Sequence, residues 1–280
     1  YFNFVFHPLR ETDGAVGGIL IHAVEVTEQV RARQEIERKA EELARTARAL
    51  EATNRELDQF AYVASHDLKA PLRGIANLSQ WIEEDIADAL SDENREQMQM
   101  LRGRVHRMEA LIEGILQYSR AGRATGKPEV VDTGALVWEV TDLLDPPEHF
   151  AIEITDDMPT LETERLPLQQ VFMNLIGNAI KYTERPDARV EISAREVGDY
   201  WDFSVADNGP GIAPEYHDKI FAIFQRLEAR DQVEGTGIGL SLVKKIVEGR
   251  RGRVWVESQE GNGTTFRFSW LKTPERNFSL

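Results

Sequence analysis

The sequence predicts a multidomain chain: a partial β-hairpin, then an all-α dimeric helical hairpin, then an α/β sandwich domain. Three observations support this fold class. A heptad pattern, with isoleucine, leucine or alanine at most of its seam positions, runs without a break from Arg33 to Ala64. The same alternation of three and four residues returns between Met98 and Ser119. Beyond residue 127, β-rich runs mix with helical patterns, which indicates a separate α/β domain.

The composition restricts the class of protein. The 280 residues carry a formal net charge of -15, which argues against nonspecific binding to nucleic acid or to anionic lipid. Cysteine is absent, so disulfides and thiolate chemistry are excluded, and a reducing, cytoplasmic compartment is expected. No apolar run approaches the ~20 residues of a membrane helix. The first residue is Tyr rather than Met, so we expect the chain to be a fragment of a longer protein. Whether an upstream segment anchors that protein to a membrane stays an open question.

Residues 1–27 are predicted to form a β-hairpin. The runs YFNFVFHPL and GILIHAVEV are β-rich, and the turn cluster ETDGAVGG lies between them. Because two strands are marginal as an independent unit, we interpret them as the close of a domain that begins upstream.

Residues 28–56 are predicted to form a coiled-coil helix. One seam position is occupied by Ile36, Leu43, Leu50, Leu57 and Ala64, and the other by Arg33, Ala40, Ala47, Asn54 and Ala61. A 3.5-residue repeat of this length implies a left-handed, parallel dimer, in which Asn54 favours a two-stranded pairing. A solvated single helix is the alternative.

Residues 57–122 are predicted to form an antiparallel hairpin of two long helices. The first helix is expected to continue past Pro71 to Leu90, and Ser91 is placed to cap the second. Two such hairpins across a dimer axis make a four-helix bundle. His66 falls opposite the seam, so its ring should point outward, where it can react.

Residues 127–272 are predicted to form the α/β domain, after a flexible basic linker, AGRATGKP. Strands are expected at 150–154, 189–194, 201–206, 253–257 and 265–270, and helices at 133–144, 166–182 and 240–248.

Three motifs in this domain are candidates for ligand binding. NLIGNAIKY (174–182), the asparagine helix, places Asn174 and Asn178 on one face; Asn178 could bind Mg²⁺ and Lys181 a phosphate. DNGPGI (207–212), the first glycine turn, lets the backbone approach a ligand closely. The carboxylate of Asp207 can accept a hydrogen bond from an exocyclic amino group. GTGIGL (235–240), the second glycine loop, offers backbone amides to phosphate.

Each motif alone also has a structural explanation, as helix-surface amides or tight turns. The polar segment between the two glycine motifs, residues 214–234 around Phe221 and Phe224, is predicted to be a lid over the site.

In combination and in this order, the motifs resemble those of the sensor histidine kinases of two-component systems. SHDLKAPL resembles the H-box, NLIGNAIKY the N-box, DNGPGI and GTGIGL the first two G-boxes, FAIFQR the F-box and GNGTTF (261–266) the last G-box. The resemblance covers roughly residues 56–271. The first 27 residues resemble the end of a PAS domain, joined by VEVTEQ to a signalling helix.

The resemblance implies a homodimer that autophosphorylates His66 from ATP and passes the phosphoryl group to an aspartate of a response-regulator receiver domain. It implies a Bergerat-type ATP-binding domain with ATP and Mg²⁺ as cofactors. Asp67 would be the acid/base partner of His66, and Asn174 would lie near the transferred phosphoryl group. The implied nucleotide-binding residues are Asn178 (also the metal ligand), Lys181, Tyr182, Asp207, Gly209, Gly211, Gly235, Gly237, Gly239 and Thr264.

One position departs from the pattern of the family, and two alternatives stay open. Many relatives carry Thr or Asn four residues after the histidine, where this chain has Ala70, so weak phosphatase activity is expected. The first alternative is a gyrase-, Hsp90- or MutL-type ATPase, although such enzymes carry a glutamate where this chain has Asn174. The second is a dimeric scaffold that binds ATP without transferring phosphate.

Overall fold

The computed structural model describes residues 1–86, 91–121, 126–225 and 235–273. The chain divides into two compact units, Tyr1–Gln59 and Phe60–Leu280. In the described residues, no helix combines the length and apolar character that crossing a membrane requires.

The first unit contains a β-hairpin and the first part of a long helix. Strands β1 (Phe2–Arg10) and β2 (Val16–Glu25) pair antiparallel, as the alternation of the sequence predicts. The side chains on both faces of this hairpin are exposed, including a row of three phenylalanines whose successive ring centroids lie 6.1 and 6.5 Å apart: Phe2, Phe4 and Phe6. Its assignment to a PAS-like domain stays a prediction.

Helix α1 (Thr27–Asp85) begins directly after the hairpin. Ion pairs between side chains four residues apart, such as Arg33 with Glu37 and Arg38 with Glu42, lie along its surface. The seam residues Ile36, Leu43, Leu50 and Leu57 are 60–72% exposed in the single chain. A second chain would be needed to bury them, so the coiled coil stays a prediction.

The second unit starts with the helical hairpin, formed by the rest of α1 and by α2 (Asp92–Arg120). Ser91 caps α2, since its side chain accepts a hydrogen bond of 3.2 Å from the Asn94 amide, as predicted. Helix α1 continues through Pro71, also as predicted, while the predicted end at Leu90 lies outside the described residues. A small apolar core joins the two helices; its residues are Leu72, Ala76, Val105 and Ile112. Two ion pairs, Lys69–Glu113 and Glu83–Arg102, also connect them.

The α/β domain contains a five-stranded sheet. Its strands are β4 (Ala151–Ile154), β6 (Arg189–Val197), β7 (Tyr200–Asp207), β8 (Val254–Ser258) and β9 (Thr264–Leu271). Their order in the sheet is β4-β6-β7-β9-β8. Only the β4–β6 pair is parallel among the described strands of this sheet. A separate pair, β3 (Glu129–Asp132) and β5 (Thr160–Thr163), is antiparallel.

Three helices pack on the sheet through a single core. They are α3 (Thr133–Leu144), α4 (Arg165–Tyr182) and α5 (Gly239–Glu248). At the centre of the core, the Phe172 ring of α4 packs edge-on against Phe203 and Phe268 of the sheet, with centroids 5.5 Å apart in both pairs. Such aromatic pairs add about 0.5–1.5 kcal/mol beyond the burial of their area.

The predicted elements of this domain are all present, with small shifts of their ends. Helix α3 matches its predicted range, whereas the five predicted strands begin or end up to three residues from the observed ones. The pair β3 and β5 was not expected from the sequence. Their segments, EVVD and TLET, contain only one or two apolar residues each, whereas β4 continues the apolar alternation FAIEI that begins at Phe150.

Candidate functional site

A cavity of about 520 Å³ opens in the second unit, between the asparagine helix, both glycine motifs and helix α2. Its volume is in the range of small-molecule sites. Among its lining residues are ten that the sequence singled out: Asn174, Asn178, Lys181, Tyr182, Asp207, Gly211, Gly235, Gly237, Gly239 and Thr264. Apolar side chains complete part of the wall, among them Ile212, Ile220, Leu240, Leu242 and Phe266.

The asparagine helix supplies the amides and the lysine. Helix α4 buries its apolar face against the sheet, which leaves Asn174, Asn178 and Lys181 facing the cavity. The Asn174 amide nitrogen donates to the carbonyl oxygen of Gln170 at 2.7 Å, and this bond fixes the orientation of the side chain. The Lys181 ammonium lies 5.0 Å from the centre of the Tyr182 ring. A cation and a row of amides therefore line one wall.

Asp207 lies at the end of β7, at the entrance to the first glycine turn. Its Oδ1 accepts hydrogen bonds from the backbone amides of Gly209, at 2.9 Å, and Thr264, at 3.2 Å. Within the described residues, Oδ2 accepts no hydrogen bond from the protein, so this oxygen is available to a ligand. Burial raises the pKa of Asp207 above its ordinary value, and the backbone amides of Gly209, Thr264 and Asp207 itself offset only part of this increase.

The first glycine turn brings backbone very close to backbone. Gly211 has a φ of +75°, and a Cβ at this position would lie 2.1 Å from the carbonyl oxygen of Gln259. Asn208, which was not predicted to have a role, stabilises the turn through two hydrogen bonds of its side chain. Its Oδ1 accepts a hydrogen bond from the Arg189 amide, and its Nδ2 donates one to the Asp187 carbonyl oxygen. Gly209 is not among the lining residues, and its amide instead holds Asp207.

The second glycine loop lies against the asparagine helix. A Cβ on Gly235 would lie 2.5 Å from Lys181 Nζ. Gly237 has a φ of +71°, and its carbonyl oxygen accepts from the Phe224 amide at 2.9 Å. This bond connects the described part of the predicted lid to the loop, while residues 226–234 of the lid lie outside the described residues. Helix α5 begins at Gly239, so its first amides face the cavity, where they favour an anion.

Helix α2 forms a wall of the cavity that the sequence analysis missed. Ala110, Glu113, Gly114 and Gln117 line it. A Cβ on Gly114 would lie 2.7 Å from Cδ1 of the buried Ile238, so the absence of a side chain lets the glycine loop approach the helix. A glycine inside a helical pattern was the available signal.

His66 is exposed on α1, as its place in the heptad frame predicted. The side chain is 71% exposed, whereas the preceding Ser65 is buried. The ring nitrogen Nδ1 lies 3.2 Å from Asp67 Oδ1. Adjacent residues of a helix do not usually face each other, so the particular rotamers of this pair make the contact. If Nδ1 carries the proton of a neutral ring, the lone pair is on the exposed Nε2.

Two family models match the chain in the order of these sites. Residues 56–124 match the His Kinase A (phospho-acceptor) domain. Residues 163–275 match the histidine kinase-, DNA gyrase B- and HSP90-like ATPase family. The first match contains His66, and the second contains the asparagine helix and both glycine motifs. The chain belongs to the sensor histidine kinases.

Relatives of this histidine kinase are found among characterised proteins. Cyanobacterial phytochrome A of Nostoc sp. (strain PCC 7120) is 42% identical over 244 residues, which cover 83% of this chain and 31% of that protein. The methanogenesis regulatory histidine kinase FilI of Methanothrix harundinacea is 32% identical over 270 residues, covering 95% of this chain and 29% of that protein. The chain therefore spans about a third of the length of these relatives.

A solved structure supports the same architecture for this histidine kinase. The crystal structure of full-length ShkA in complex with AMPPNP aligns with a TM-score of 0.58 and 28% identity, over 76% of this chain and 45% of that chain.

Proposed function

We propose that this chain is the kinase portion of a sensor histidine kinase, which transfers the γ-phosphoryl group of ATP to His66 and then to an aspartate of a response regulator. The observation that carries this proposal is the exposed His66 ring, with Nδ1 against Asp67, in a chain that also contains a cavity lined by amides, a lysine, glycine backbone and apolar side chains. The ring is accessible to a phosphate donor and is already oriented by a carboxylate.

The cavity matches the groups of ATP. Asp207 Oδ2 can accept from the exocyclic amino group of adenine, and the apolar wall that includes Ile212 and Phe266 can take the base. Lys181 and the amides at the start of α5 can neutralise phosphate charge. The presence of AMPPNP in the related ShkA structure supports this choice of ligand.

The donors in the cavity also fit Mg²⁺. In the described residues, there is no cluster of three or more His, Cys, Asp or Glu side chains that could hold a metal ion by themselves. Mg²⁺ needs no such cluster, since it prefers oxygen ligands, keeps several waters and commonly binds through one or two protein groups and the phosphates of the substrate. We propose that the Asn178 side-chain oxygen is its protein ligand; the ion would neutralise triphosphate charge.

In the proposed transfer, the lone pair of His66 Nε2 attacks the γ-phosphorus. The N–P bond forms as the bond between this phosphorus and the oxygen that bridges it to the β-phosphate breaks, and ADP leaves. The ring becomes positively charged, and the Asp67 carboxylate stabilises this charge through the Nδ1 proton. Asn174 and Lys181 position the phosphoryl group, which is the main requirement for this kind of transfer.

We also propose that the chain acts as a homodimer. Large apolar residues of the hairpin stay exposed in the single chain, among them Phe60, Leu68, Ile75, Leu78, Ile82 and Met108. Of these, Leu68, Ile75, Leu78 and Ile82 keep the spacing of three and four residues of the predicted seam, and a second copy would bury them. The cytoplasmic location and the boundaries 1–27, 28–56, 57–122 and 127–272 stay predictions.

The alternative ATPase function is disfavoured by Asn174. A gyrase-type enzyme needs a carboxylate at this position to activate water, and an amide cannot accept that proton. The scaffold alternative is decided only by measuring turnover.

The test is incubation of the chain with γ-labelled ATP. We expect label that is labile to acid and stable to base in the wild type, and none in His66→Gln. The matched control is His106→Gln, because the His106 side chain is 69% exposed on α2 and also lies beside a carboxylate, with Nδ1 3.5 Å from Glu109. Label that persists in His66→Gln, or that disappears in His106→Gln, would contradict the assignment.

A further inference from the structure

A buried hydroxyl without a partner lies behind the cavity. Thr183 follows α4 directly and is 3% exposed. Among the described residues, its Oγ1 has no hydrogen-bond partner. A buried polar group left unsatisfied costs about 1–3 kcal/mol. Burial of this hydroxyl at such a cost therefore calls for an explanation.

The hydroxyl lies next to the carboxylate that lines the cavity. A Cβ placed on Gly209 would lie 2.8 Å from Thr183 Oγ1, 2.9 Å from Asp207 Oδ1 and 3.4 Å from the Tyr182 carbonyl oxygen. The three oxygens thus lie within 3.4 Å of one point, which is left free because Gly209 has no side chain. Of the three, the hydroxyl is the only one that can donate a hydrogen bond if the carboxylate is ionised.

We propose that Thr183 is a positioning residue for purine selection, which donates its hydroxyl hydrogen to the Asp207 carboxylate when a nucleotide occupies the cavity. This inference rests on the proposed function for the class of ligand. A base over Asp207 excludes water from a carboxylate that already has two amide donors on Oδ1. A third donor would then replace the lost hydration and keep Oδ2 directed at the base.

The consequence of this contact is selectivity between 6-amino and 6-oxo purines. An ionised carboxylate can only accept, so it pairs with the amino group of adenine, whereas a protonated carboxyl group could also donate to the oxygen of hypoxanthine. Burial already raises the pKa of Asp207, which favours the protonated form. A hydroxyl donor opposes this effect because it stabilises the ionised form.

The experiment compares the affinities of ADP and inosine diphosphate for the full chain by calorimetry. We expect Thr183→Val, which has nearly the same shape, to weaken ADP binding about tenfold and to change inosine diphosphate binding less than about twofold. Thr183→Ser keeps the hydroxyl and should retain most of the selectivity. Because ADP binding requires no transfer, the result does not depend on phosphorylation of His66.

The control is Thr155→Val, which removes the other buried hydroxyl without a partner in the described residues, at a position that does not line the cavity. It should leave both affinities unchanged. Gly209→Ala, whose Cβ would lie 2.8 Å from Thr183 Oγ1 and 2.9 Å from Asp207 Oδ1 and would displace one of them, should reduce selectivity as Thr183→Val does.

Two outcomes overturn the inference in different ways. Equal weakening of both nucleotides in Thr183→Val, or no weakening, would leave Thr183 with a purely structural role while the proposed function stands. Failure of the wild-type chain to bind ADP would reject the proposed function and this inference together. Thermal unfolding of each variant verifies that it is folded; the valine variant should be at least as stable as the wild type, since it removes an unsatisfied group.

Discussion

Gly239 begins helix α5 directly against Asn174, so that a Cβ on the glycine would lie 2.7 Å from the Asn174 side-chain oxygen. The second glycine loop and the asparagine helix are 65 positions apart at these residues, yet they meet without space for a methyl group. The two motifs therefore act as one site.

Gly239→Ala tests this contact. The added methyl group must displace Asn174 or the start of α5, and overpacking of this kind costs typically about 1–3 kcal/mol. We expect ATP affinity to fall about tenfold or more, measured by calorimetry. Gly177→Ala is the matched control, because its Cβ would meet only Leu144 at an ordinary 3.5 Å. Equal losses in the two variants would mean that the contact with Asn174 is not the cause.

Asp207→Asn should separate stability from binding. Burial raises the pKa of Asp207, so the ionised carboxylate destabilises the folded chain relative to its neutral form. At neutral pH the neutral amide removes this penalty, and we expect a higher melting temperature without nucleotide. The gain should disappear as the pH falls through the raised pKa, because the wild-type group then becomes protonated as well.

The same variant should bind ATP more weakly, since the amide group accepts less strongly from the amino group of adenine than a carboxylate does. Melting temperatures recorded from neutral pH to below the ordinary range of aspartate, each with and without ATP, measure both effects. A variant that is less stable than the wild type at neutral pH would contradict this account of Asp207.

Ala70→Thr should increase phosphatase activity. Ala70 lies one turn after His66 and is exposed, but its methyl group cannot orient water. We expect the wild-type chain to release phosphate slowly from a phosphorylated receiver domain, and the threonine variant to release it about tenfold faster or more. Ala70→Val, which has the same shape without the hydroxyl, is the control. A fast, nucleotide-stimulated rate in the wild type would refute the prediction.

Pro71→Ala should stiffen the helix after the phosphoacceptor. Pro71 lies inside α1 and has no amide hydrogen, so the Asp67 carbonyl lacks the usual helical donor four residues later. Alanine supplies this donor, and it is favoured over proline inside a helix by about 3 kcal/mol. We expect slower hydrogen exchange around residue 67 and an altered response of the kinase to its input. An unchanged response would show that the helix does not bend at this position for signalling.

Much of the fold could be predicted from local patterns. The helical periods gave α1 and α2, with the cap at Ser91, and α3 was predicted to the residue. His66 is exposed, as expected, but so are the seam residues in the single chain; the place of His66 opposite a dimer seam therefore stays a prediction of the heptad frame. The strands β3 and β5 were missed because EVVD and TLET contain only one or two apolar residues each, which is too few to show the alternation that predicted the equally short β4.

The sequence by itself determined the motif order, the helical faces and the residue types that can bind a triphosphate. Only the tertiary structure decided how these residues are held: the β7–β9 register places Asp207 opposite Thr264, Gly114 lets α2 form a wall of the cavity, and Gly209 leaves room for Thr183. The reason is physical. A helical or strand period is visible among residues that are close together in the sequence. These contacts join segments that are far apart in the chain, and their distances are set by the packing of the whole domain.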